Sequence, residues 1–126
     1  MLKNSQRILF FAVIYTCFVL YISFADADSY LPEKAFFKNQ DKVFHLLIYI
    51  FLAIIWGLYA LKSRVKKRLW LSFIITFIFG IILESIQEIV SPFRTYDTMD
   101  LIANCLGVII GTVIVHYYMK YKVKIN

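Results

Sequence analysis

Residues 80–90 read GIILESIQEIV, and they follow LWLSFIITFIF at 69–79. The combined run, Leu69 to Val90, is apolar enough and long enough to cross a bilayer, whose core needs about 20 such residues. Near its end it carries Glu84, Gln87 and Glu88. A charged side chain at the centre of a bilayer costs about 2.5–3.5 kcal/mol on insertion scales. Glu84 lies six residues before Val90, roughly 9 Å of helix rise inside the span. At that depth the carboxylate is expected to face other helices and to have partners there. Ionisable groups inside spans mark functional sites by default.

Working outward, the rest of the chain has the same material. Of 126 residues, 61% are hydrophobic and 17% charged, which is too apolar for an ordinary soluble domain. Four segments have the length and composition of membrane helices: about 8–24, 43–61, 69–90 and 101–119. They predict an all-α, integral membrane four-helix bundle occupying residues 1–126 as a single domain. Gly57, Gly80, Gly107 and Gly111 fall inside these segments, and Pro32 and Pro92 fall in connections.

Charge predicts orientation. The N-terminal tail, the connection from Lys62 to Arg68 and the C-terminal tail hold ten basic residues and no acid. Lys34, Lys38, Lys42 and Arg94 share the other side with all eight acids. The positive-inside rule then puts both termini in the cytoplasm and the polar ends of the last three spans outside. The net charge of +6 reads as topology rather than as a nucleic-acid patch, because the basic residues hug membrane ends. Ala25-Asp26-Ala27 has the form of a signal-peptidase site, but the 17-residue run before it exceeds the usual h-region of about 7–15 and favours a retained span. Cys17 and Cys105 lie at membrane depth and read as small packing residues rather than a disulfide.

The polar residues of three segments sit at one end. Glu84 and Glu88 are i,i+4, and Glu84 and Gln87 are i,i+3, so all three share a face with Gly80 one turn deeper. Asp100, Asn104, Gly107 and Gly111 form one stripe on the fourth segment, ending in a GxxxG step that lets a neighbouring helix approach. Asp41 and His45 are i,i+4 on the second segment, and Tyr49, Leu52 and Trp56 continue their face. Three packed helices would gather these residues into one pocket, with Arg94 and Asp97 at its mouth. Plainer roles compete. Asp41 and Asp97 suit helix N-caps, acids at helix starts suit the macrodipole, Glu88 suits solvation, and Lys42 suits snorkelling. His116, at the far end, has no acidic partner. The candidate ligand-binding set is Asp41, Lys42, His45, Glu84, Gln87, Arg94, Asp97, Asp100 and Asn104.

The order and spacing of three motifs resembles the VanZ-like family of small integral membrane proteins. They are DKVFHLLIY at 41–49, Gly80-x3-Glu84-x2-Gln87, and Arg94-x2-Asp97-x2-Asp100-x3-Asn104-x2-Gly107-x3-Gly111. The resemblance covers about residues 41–111, and the namesake is associated with teicoplanin resistance. It implies a cell-envelope role but no particular reaction or cofactor. One expectation is a binding role at the outer leaflet, for a cell-wall precursor, a lipid headgroup or a partner membrane protein. The alternative is an intramembrane enzyme acting on an envelope lipid or lipid-linked precursor. There His45 would be general acid or base, Glu84 base or orienting carboxylate, and Lys42 and Arg94 anion clamps. A metal-assisted variant would use His45, Glu84 and Asp100 as ligands, although their spacing is no metal signature. No serine elbow, phosphate loop or HExxH is present, which weighs against the enzyme reading. A transporter or channel is a third possibility, weakened by the lack of polar residues through the inner halves of the spans unless the protein forms a homo-oligomer.

Overall fold

The computed structural model describes residues 4–24, 40–62, 68–90 and 98–125, and it is entirely helical there. The helices are α1 (Asn4–Phe24), α2 (Gln40–Lys62), α3 (Arg68–Val90) and α4 (Thr98–Ile125). Each contains one of the four expected spans, and each is long and apolar enough to cross a membrane. Their surfaces agree with that setting. Phe10, Phe11, Phe18, Phe51, Trp70, Ile75, Ile82 and Ile114 are all exposed. In water such a surface would drive aggregation; among acyl chains it is solvated.

With lipid outside, apolarity cannot pull the helices together, and close packing must do so. The most extensive contact is between α2 and α4, and the two glycines of the GxxxG step make it. A Cβ on Gly107 would lie 2.6 Å from the Leu46 carbonyl oxygen and 2.9 Å from Tyr49 Cβ. A Cβ on Gly111 would lie 2.5 Å from the Ile50 oxygen and 2.8 Å from Ala53 Cβ. Backbone therefore touches backbone along this seam. The core it organises is Val19, Tyr49, Leu52, Ala53, Leu83 and Val108.

α1 joins through polar groups as well as packing. The Tyr15 hydroxyl donates to the Ile48 carbonyl at 2.7 Å, and Trp56 Nε1 donates to Thr16 Oγ1 at 2.9 Å. Cys17 and Cys105 are free thiols, as expected; Cys105 is partly buried, whereas Cys17 is exposed rather than a packing residue.

Candidate functional site

α2 and α4 begin at the same end of the molecule at which α3 finishes. His45 is in the second turn of α2, Lys42 one turn earlier, Asp100 in the first turn of α4 and Asn104 one turn later. Glu84 and Gln87 are in the last two turns of α3. Glu84 has 0% of its surface exposed, and Gln87, Asp100 and Asn104 are also buried.

The central contact is between His45 and Asn104, whose Nδ1 and Oδ1 are 3.1 Å apart. Asn104 directs its NH2 at the Gly80 carbonyl, a long contact of 3.5 Å, so its oxygen faces the ring. An amide oxygen only accepts, which makes His45 Nδ1 the donor. His45 Nε2 then points toward Asp100, 3.7 Å from Oδ2. In a neutral ring with Nδ1–H, Nε2 carries a lone pair. Lone pair facing carboxylate is attractive only with a proton or a cation between them. Lys42 Nζ meets the other carboxylate oxygen, Asp100 Oδ1, at 2.7 Å. Both of those side chains retain some exposure, which puts the ion pair at the rim and Glu84 beneath it.

One His45 nitrogen and one oxygen each from Glu84 and Asp100 lie within 4.8 Å of one another. A nitrogen with two carboxylates suits zinc or manganese. Two metal–ligand bonds of about 2.1 Å span at most about 4.2 Å, so a pair at the 4.8 Å limit would have to close by about 0.6 Å. The 3.7 Å pair already fits.

Tyr49 is the floor. Its ring lies against Gly80, where a Cβ would be 3.0 Å from Cε1, and its Cβ lies against Gly107. A side chain at Gly107 would push the helices apart just below the cluster, because it meets the Leu46 main chain; one at Gly80 would have to displace the Tyr49 ring by a few tenths of an ångström. These two small residues on otherwise polar stripes are the sequence signal for that contact.

The structure thus brings Lys42, His45, Glu84, Asp100 and Asn104 together. Gln87 is buried but turns to α1, where its Nε2 donates to the Ser23 carbonyl at 2.9 Å. Ser23 was not anticipated, because a backbone acceptor at a helix end leaves no mark on residue type. Arg94 and Asp97 lie outside the described residues, as do the side chains of Asp41 and Glu88. His116 is exposed, ring to ring with Tyr117.

Fold and site together define a class: a helical, multi-pass membrane protein with ionisable groups set into one end of its spans. The chain belongs to the VanZ/LLP1 family, whose family model matches residues 2–119. The match includes α1, where no motif is visible by eye. No curated protein and no solved structure gives a significant match.

Proposed function

We propose that the cluster of Lys42, His45, Glu84, Asp100 and Asn104 is a binding site at the outer surface of the cell membrane. Its ligand is a polar headgroup of an envelope lipid or lipid-linked cell-wall precursor. Engaging that component lowers susceptibility to teicoplanin-type glycopeptides. The observation that carries this reading is the complete burial of Glu84 at membrane depth beside His45 and Asp100. A carboxylate there is costly, and helix packing alone does not need one. Lys42 is ion-paired to Asp100 at 2.7 Å, so the cluster would offer a headgroup hydrogen-bonding groups of both charges rather than a free cation.

The outward orientation rests on charge. Ten basic residues without acids would lie on the cytoplasmic side with both termini. In a background lacking Cys17 and Cys105, a cysteine at the exposed Thr98 should react with an impermeant thiol reagent added to intact cells. Labelling only after the cytoplasm is opened would reverse the orientation. For the activity, overexpression in a Gram-positive host should raise the inhibitory concentration of teicoplanin above the vector control. An unchanged value with membrane expression confirmed would contradict the resistance role.

A second reading is favoured by the proximity of His45, Glu84 and Asp100. In it the protein is an intramembrane enzyme on an envelope lipid; His45, Glu84 and Asp100 would hold a divalent metal, which would supply the Lewis acidity that hydrolysis by water requires. Metal analysis of the purified protein separates the two readings. Stoichiometric zinc or manganese lost in Asp100→Asn supports the enzyme; none supports binding alone.

A further inference from the structure

The opposite half of the molecule holds a cleft of about 380 Å³ between α1, α2 and α3. Leu52 and Trp56 line it from α2, and Phe79 is the lining residue farthest along α3 from Arg68. Arg68, Ser72 and Ile75 continue the α3 wall toward the other end. Arg68, Ser72, Ile75 and Phe79 step by four, three and four residues, so they line one face of α3. From Arg68 to Phe79 is eleven residues, about 16 Å of rise. Half of a bilayer's hydrocarbon core is about 15 Å. The cleft is therefore one leaflet long, with a guanidinium at the headgroup level and aromatic walls at the midplane.

The cleft opens where α3 is bare, since Ile75 is 58% exposed. Inside a membrane that opening faces acyl chains. A void there would forfeit the dispersion contacts of its walls. The charge at its end selects which lipid enters. Arg68 is exposed in the first turn of α3, and the exposed Lys62 ends α2. A guanidinium grips phosphate with a planar fork of donors, and the positive end of the α3 dipole adds to it.

We propose that this cleft holds one acyl chain of an anionic phospholipid from the leaflet at the Arg68 end, with the lipid phosphate on Arg68. The chain lies against Trp56 and ends at Phe79, directly beneath the layer where Phe79 and Tyr49 pair at a centroid distance of 6.5 Å. The site is independent of the polar cluster on the far side of that layer. The lipid braces α1 against α2 and α3 where direct packing is thin.

Brominated acyl chains quench tryptophan on contact, and the protein has two tryptophans, Trp56 and Trp70. Trp70→Phe leaves Trp56 in the cleft; Trp56→Phe leaves Trp70, which is exposed on the surface and reports the general lipid annulus. Each variant is placed in nanodiscs of phosphatidylcholine doped with a brominated chain on either phosphatidylglycerol or phosphatidylcholine. Trp56 should be quenched at least twofold more by the glycerol lipid, while Trp70 shows a smaller preference. Arg68→Gln should remove the Trp56 preference without changing quenching of Trp70. Equal quenching of Trp56 by both lipids would overturn the proposal. So would a preference no greater than that of Trp70, or one that survives Arg68→Gln.

Discussion

The two sides of α2 are built on different principles. Toward α4 it presents Leu46, Ile50 and Ala53 to Gly107 and Gly111, and main chain meets main chain. Toward α1 and α3 it presents Trp56, held by one hydrogen bond to Thr16 and bordering a cleft of about 380 Å³. The first side leaves no freedom of register. His45 on α2 and Asn104 and Asp100 on α4 are thereby fixed to each other by backbone contact below them. The second side is held by side chains that can adjust. Precision in the polar site comes from the seam, and tolerance belongs to the cleft.

That contrast predicts a graded series of stability losses. Gly111→Leu should be the most damaging, because even a Cβ there meets the Ile50 carbonyl at 2.5 Å, and backbone cannot give way cheaply. Overpacking of this kind costs about 3 kcal/mol or more. Thermal unfolding in detergent should show a large drop or no folded protein, and wild-type stability would remove the seam from the account.

Trp56→Phe should be mild. It deletes the hydrogen bond to Thr16 and keeps most of the ring. Interhelical bonds in membranes average about 0.6 kcal/mol, so the loss should be close to that in the same assay. A loss as large as that of Gly111→Leu would mean that the cleft side is as rigid as the seam.

Gly57→Ala should be smallest. A Cβ there meets only methyl groups, Val115 Cγ2 at 3.1 Å and Leu69 Cδ1 at 3.2 Å. Small side-chain shifts relieve that, and alanine is the better helix former. The change should stay within about 0.5 kcal/mol of wild type. A loss of several kcal/mol would show that the glycines of α2 and α4 do the same job.

Much of this was legible in the sequence, and the limits have a physical cause. Helical periodicity assigns residues to faces. It therefore foresaw the four spans, the Asp100–Asn104–Gly107–Gly111 stripe and the convergence of His45 with that stripe. It does not say which neighbour a face meets. Lys42 was placed in the candidate set as an anion clamp, with snorkelling as the plainer role, and its pairing with Asp100 at 2.7 Å was not foreseen. Gln87 was placed beside Glu84 over a pocket of three helices, whereas its amide engages the end of α1 at Ser23. Both differences depend on rotation and approach of whole helices, which single-chain spacing does not encode. The cleft was missed for a related reason. Thr16, Ser72 and Thr76 look incidental one at a time, and only the assembled helices show them lining one space. Thr76 also hides its hydroxyl by donating to the Ser72 carbonyl at 2.8 Å within its own helix.

The central claim is that Glu84 is present for function and not for packing. Glu84→Gln preserves the shape and the hydrogen-bonding capacity and removes only the charge and the titratable proton. The direct measurement is teicoplanin susceptibility of a deletion strain complemented with Glu84→Gln or Glu88→Gln, with membrane abundance matched by blot. Glu84→Gln should behave as the deletion, while Glu88→Gln, two residues from the end of α3, should stay near wild type. Full complementation by Glu84→Gln would contradict that claim and leave Glu84 as a structural hydrogen-bonding group.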